Sequence, residues 1–188
     1  MIRSLLKAAI CVPLFAQLAS AQAETPEAVV EQLMAATKAN DWARVVALTH
    51  PSALHQVRIL LDPILTTDGA ALDTARQLMF GFASRTAAAA ASDSAVMLGV
   101  IRFAMSQQPK AADALRSSSY RLLGLVHEGP DTVHVVTRIS MSFGGSSGNQ
   151  IEVTSLIRSG PTWRALLKGD WTQMATRLRA AILQGPGP

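Results

Sequence analysis

In TVHVVTRISMSF, Thr132 to Phe143, the residues alternate with a period of two, the repeat of an extended strand. Val133, Val135, Thr137, Ile139, Met141 and Phe143 fall on one side; His134, Val136, Arg138, Ser140 and Ser142 fall on the other. A strand with one apolar side needs that side covered, and it can leave the other to water or to a partner. Working outward, Tyr120 to His127 alternates in the same way, and Gln150 to Arg158 and Thr162 to Lys168 do so more weakly. The joints are Glu-Gly-Pro-Asp (128 to 131), Gly-Gly-Ser-Ser-Gly-Asn (144 to 149) and Ser-Gly-Pro (159 to 161), all turn formers. Connections this short make the strands antiparallel neighbours, because a parallel crossover needs a dozen residues or more.

Upstream of Ser117 the period is helical. Thr25-Pro26-Glu27 is a helix start, with a capping hydroxyl, a proline where no amide hydrogen is needed and a carboxylate near the positive end of the dipole. Val29, Val30, Leu33, Met34 and Thr37 share its apolar face. Asp41 caps a second helix carrying Trp42, Val45, Val46 and Leu48, and Pro51 either ends it or opens its successor. A third is expected over Ser52 to Leu61, punctuated by Asp62-Pro63. Then come a helix capped by Asp68 with Leu72, Ala75, Met79 and Phe82, the low-complexity run Thr86 to Ser92, and a helix with Met97, Val100, Ile101, Ala104 and Met105. Asp93 and Arg102 argue against a membrane hairpin here, since ionised groups in hydrocarbon cost kilocalories each. Pro109 opens a last short helix to about Leu115. After the strands, Asp170 caps a closing helix with Trp171, Met174, Leu178 and Ala181 on one face. The expected class is α+β: a helical N-terminal half packed on a curved antiparallel sheet of about four strands, with a closing C-terminal helix. Residues 24–184 form one domain and 185–188 a tail.

The opening MIRSLLKAAICVPLFAQLASAQAE has Arg3 and Lys7, an apolar run from Ala8 to Leu18, and then small residues. That order is a secretory signal peptide over residues 1–23, and the run is shorter than the roughly 20 residues of a membrane span. Cleavage is expected after Ala21 or Ala23, which places the domain in the periplasm or outside the cell, without an integral membrane segment. Cutting there removes two of the 17 basic residues, set against 13 acidic ones, and takes the only cysteine with them. The domain must then be stable without a disulfide. An excess of about two positive charges, with the arginines spaced singly, gives no concentrated field for nucleic acid.

The chain has no strong catalytic or metal motif. Its histidines, at 50, 55, 127 and 134, lack the spacing of a zinc site, so no metal or cofactor is expected. Gly145-Ser146-Ser147-Gly148 lacks the spacing of a nucleophile elbow and joins strand to strand, so it reads as a hairpin loop. For acid and base chemistry the candidates are His50 at a helix end and Tyr120, with Asp41 or Asp170 as further carboxylates, although both aspartates stand where helix caps belong. For ligand binding the candidates are Trp42, His50, Tyr120 and Trp163; the tryptophans equally suit a core. Met79, Met97 and Met105 suit an adaptable groove or gap-filling in the core.

Several stretches resemble the nuclear transport factor 2-like superfamily. They are the helix Thr25 to Ala39, Asn40-Asp41-Trp42 opening a second helix, Leu48-Thr49-His50-Pro51 closing it, Leu122 to Val126 with Glu128-Gly129, Val133 to Arg138, and Gly160-Pro161-Thr162-Trp163-Arg164. The likeness covers roughly Thr25 to Leu65 and Tyr120 to Asp170. It departs at Thr66 to Leu115, which is helical and longer than the usual insert. The resemblance implies a sheet curled around N-terminal helices to form a cone-shaped cavity. It carries over no catalytic residue, because the Asp, Tyr and His of the superfamily's ketosteroid isomerases and scytalone dehydratases have no matching positions here. In such a fold function does not follow from architecture. The expectation is an exported, non-enzymatic binding or accessory module for a small apolar molecule or a partner protein. The alternatives are a cofactor-free isomerase or dehydratase, and a structural homodimer through the sheet face bearing His134, Val136 and Arg138.

Overall fold

The computed structural model describes residues 24–143 and 146–167, with positions 169, 173, 176, 177, 179 and 180. Among them are seven helices, α1 (Pro26–Lys38), α2 (Trp42–Ala47), α3 (Pro51–Thr66), α4 (Ala70–Phe80), α5 (Arg85–Ala90), α6 (Asp93–Gln107) and α7 (Pro109–Ser117). Four strands follow, β1 (Ser119–His127), β2 (Thr132–Phe143), β3 (Ser146–Ser159) and β4 (Thr162–Ala165), antiparallel and in the order β1-β2-β3-β4. The class is α+β, with the helices on one face of an open sheet. The six positions described beyond Leu167 are helical, whereas Asp170, Trp171, Met174, Leu178 and Ala181 lie outside the described residues. No helix among the described residues is long and apolar enough to cross a membrane.

The first two helices start as their sequences dictate. The Thr25 hydroxyl accepts from the Ala28 amide at 3.2 Å, and the Asp41 carboxylate from that of Arg44 at 3.0 Å. Between them Asn40 takes a left-handed φ of 55°, a conformation asparagine tolerates better than most residues. Helix α3 corrects the expected break at Asp62-Pro63 and runs on to Thr66. A proline inside a helix costs about 3 kcal/mol. Continuing the helix buries Ile64 and Leu65 completely, and each such side chain contributes about 1.5–3 kcal/mol, so packing wins over local preference. The cap of α4 is Gly69, not Asp68, whose carboxylate instead meets Arg85 at 3.0 Å. Gly81, at φ 73°, ends α4 and leaves Phe82 beyond it, stacked on Phe80 at 5.7 Å. The low-complexity run becomes α5, capped by the Ser84 hydroxyl and held at its end by Arg58, which donates to the Ala89 carbonyl at 2.7 Å.

In the sheet, β2 pairs along its full length with β3, from Thr132 opposite Ile157 to Phe143 opposite Ser146. Strand β3 therefore begins four residues before the expected Gln150, and the presumed long loop is largely strand. The register of β1 shifts between Leu122 and Gly124, leaving Leu123 as a bulge. Strand β4 stops at Ala165, short of the expected Lys168, because the chain after α2 clamps it there: His50 donates its amide to the Ala165 carbonyl at 2.8 Å, and Ala165 donates to Leu48 at 2.9 Å.

Two apolar cores result. One joins Val46, Leu54, Val57, Leu61, Ile64, Leu65, Val96 and Val100 within the helical layer. The other sets Val29, Val30, Leu33 and Leu48 against Val133, Val135, Leu156 and Trp163 of the sheet.

Candidate functional site

A cavity of about 280 Å³ opens at the seam between the two cores. Helix α1 gives it Leu33, Met34, Thr37 and Lys38, the one-sided row that begins with its buried valines. Trp42, Val45 and Thr49 follow from α2 and the turn after it, and Met97, Ile101 and Met105 from one stripe of α6. The floor is the inner sheet face, where Ile139 and Met141 of β2 stand beside Glu152 and Thr154 of β3, with Ala165 at the end of β4. Tyr120 stands opposite Ile139 on β1. The wall is mostly apolar, and four methionines lie in it: Met34, Met97, Met105 and Met141. Thioether chains re-pack at little cost, so such a wall adapts to the shape of what it holds.

Its polar groups fall into two sets by depth. Thr49 and Thr154 are buried at the inner end, whereas Lys38 and Tyr120 are exposed and so stand at the mouth. The Thr37 and Thr49 hydroxyls donate to the Leu33 and Val45 carbonyls at 2.8 and 2.9 Å, the back-bond a helical threonine finds four residues earlier. Thr154 sits on a strand and has no such carbonyl within reach. It is 5 % exposed, and its hydroxyl has no hydrogen-bond partner among the described residues. Leaving a buried hydroxyl unpaired costs about 1–3 kcal/mol. Glu152, one alternation nearer the mouth, is already engaged in an interaction.

The structure brings Trp42 and Tyr120 into this wall and leaves His50 and Trp163 out of it. His50 is the N-cap of α3: its Nδ1 accepts from the Ser52 amide at 3.2 Å and lies 2.7 Å from the Ser52 hydroxyl. That ring serves the helix end that Pro51 opens. Trp163 is buried in the sheet core, 5 % exposed, and the Arg158 guanidinium lies 4.5 Å above its ring. Asp41 acts as the cap of α2. Met97 and Met105 belong to the cavity and Met79 to the helical core. Sequence reasoning did not single out Met34, Lys38, Met141, Glu152 or Thr154. Their alternation or helical spacing assigns each to an inner face, but nothing in that pattern distinguishes a face that meets atoms from one that meets a void.

Two of the other three histidines have side-chain partners. His55 meets Asp93 at 3.0 Å, and His134 lies between the Ser155 hydroxyl at 2.9 Å and the Glu128 carboxylate at 2.8 Å. Among the described residues no three histidine, cysteine, aspartate or glutamate side chains converge as a metal site.

Fold and cavity together define the class: an α+β domain with an apolar pocket between helices and an open antiparallel sheet. No family model, curated protein or solved structure matches the chain.

Proposed function

We propose that this chain is an exported, non-enzymatic module that binds a small, largely apolar molecule in the cavity between helices and sheet. The observation that carries the reading is the Thr154 hydroxyl, buried and unpartnered among the described residues, in a mostly apolar, methionine-rich wall. A fold that keeps a buried hydroxyl unpaired is less stable than it could be, and groups retained at such a cost concentrate at functional sites. The likeness to nuclear transport factor 2-like domains supports a pocket in this place, and the leader-like order of residues 1–23 supports export. Allowing about 30 Å³ for each non-hydrogen atom, the cavity holds a ligand of about nine. Ligands of that size bind in the range from about micromolar to millimolar.

Indole fits these dimensions, and its N–H can donate to the Thr154 oxygen. At about a hundred times its dissociation constant it should stabilise the protein by about 2.7 kcal/mol, raising Tm by roughly 5–10 °C. Thr154→Val should weaken indole about fivefold to tenfold, the loss of one neutral hydrogen bond, while leaving the ligand-free protein as stable as the parent or up to about 1 kcal/mol more stable. Calorimetric titration and urea unfolding read the two effects. Indole that neither binds nor shifts Tm would end this reading.

A second reading concerns the outer sheet face. Val126, Ile151 and Val153 are about half exposed there, beside Val136. Arg121 stands directly opposite Arg138, a like-charge pair without a carboxylate partner among the described residues. A second copy of this chain would answer both features. A twofold axis between the two faces, crossing the strands at Gly124, Val136 and Val153, would set each arginine row over Val126 and the His134–Glu128 pair of the other copy. Sedimentation should then show a dimer that Val153→Glu converts to a monomer; a parent chain that sediments as a monomer at hundreds of micromolar discards the idea.

A further inference from the structure

We propose that the cavity ligand is an anionic amphiphile, a molecule with an apolar body of about nine non-hydrogen atoms whose carboxylate sits at Lys38 in the mouth. The proposal rests on the cavity being a binding site and specifies what it takes. Lys38 is in the last turn of α1, where a lysine ordinarily complements the negative end of the helix. Here that work is already done by backbone. The Ala35 carbonyl accepts from the Ala39 amide at 3.0 Å, that of Ala36 from Asp41 at 2.8 Å, and that of Thr37 from Asn40 at 3.1 Å. Lys38 makes no ion pair or hydrogen bond among the described residues, so its ammonium is a spare cation on the rim of an apolar pocket. The carboxylate in the same wall, Glu152, is already partnered and does not claim it. The Tyr120 hydroxyl, also in the mouth and without a partner among the described residues, supplies a second donor for an anion. A polar head at the rim and an apolar tail among Met34, Met97, Met105 and Met141 match the pocket end for end. Any hydrogen-bonding group at the tail's tip would reach Thr154.

Octanoate, its neutral analogue octanamide and the cation octylamine test this by calorimetric titration into the full chain, with competition against indole to place them in the cavity. Octanoate should bind about threefold to fivefold more tightly than octanamide, the size of one solvent-exposed ion pair, and the preference should shrink at high salt. Lys38→Met should abolish that preference, so that octanoate and octanamide bind the variant equally well, while the thermal melt stays unchanged, since the side chain is exposed and unpaired among the described residues. Equal binding of octanoate and octanamide, a preference that survives Lys38→Met, or tightest binding by octylamine would each overturn the anionic head while leaving the cavity reading intact. If none of the three binds and indole fails as well, the cavity reading falls with it.

Discussion

Replacing Arg76 with alanine should lower the free energy of unfolding by about 4 kcal/mol and Tm by roughly 8–16 °C. Arg76 lies in α4 and is 1 % exposed, among the largest fully buried side chains of the protein. Moving an ionised group out of water costs several kcal/mol unless its donors are met. Those of Nη1 are met by the C-terminal end of α3, whose last carbonyls have no partners in their own helix, whereas Nε has no partner among the described residues. Nη1 donates to the Ile64 carbonyl at 2.6 Å and to that of Thr67 at 2.9 Å, and Nη2 pairs with the Asp73 carboxylate. The cation therefore also faces the negative end of the α3 dipole. Truncation removes three charge-assisted bonds, strands two carbonyls and leaves a void where the side-chain stem packed. Arg76→Met refills most of that void but not the bonds, so it should lose about 2–3 kcal/mol, and the difference between the two variants isolates the packing share. Urea unfolding measures both. Losses below about 1 kcal/mol in each would show that water replaces the guanidinium at the helix end.

The contrast between Arg76 and the strand Thr132–Phe143 marks what this sequence discloses. Alternation over twelve residues states its own geometry, because an extended chain with one apolar side admits few other arrangements, and β2 has the predicted bounds. Caps are nearly as local: the side chains of Thr25 and Asp41 need only the amides three residues on, and His50 before Pro51 reads as a helix boundary. The continuation of α3 through Pro63 is not local, since the burial that outweighs the proline comes from α4 and α6. The same holds for Arg76, whose partners lie in the preceding helix, and for the cavity, whose α6 and α7 wall comes from the segment where the family resemblance stops. His50 and Trp163 looked like ligand contacts because histidine and tryptophan carry versatile side chains. Trp42 and Tyr120 do meet the void, but most of its lining is chemically plainer, and only the tertiary arrangement singles that out.

That arrangement depends on one close approach, and Gly99→Val should disrupt it, costing about 2–3 kcal/mol. Gly99 lies in α6 where it crosses α4. A Cβ built there would stand 2.9 Å from the Phe80 Cα, 2.9 Å from its ring and 3.1 Å from the Met79 carbonyl oxygen. Two of these contacts are backbone, which cannot swing aside, so the helices must separate. Alanine gains about 1 kcal/mol of helix propensity over glycine and meets the same backbone, so Gly99→Ala should come out destabilised by about 1 kcal/mol or less. Valine adds two methyl groups and forgoes most of the propensity gain. Met97, Ile101 and Met105 flank this crossing on the same helix and form one wall of the cavity, so a displaced α6 should also change what the cavity holds. The two readouts are coupled: urea unfolding gives the stability loss, and indole titration of the still-folded variant should show affinity reduced about tenfold, an estimate within the cost of displacing packed groups. A variant destabilised as expected but binding indole like the parent would show that α6 moves without carrying the cavity wall. Unchanged stability would mean that the two helices are not packed this closely.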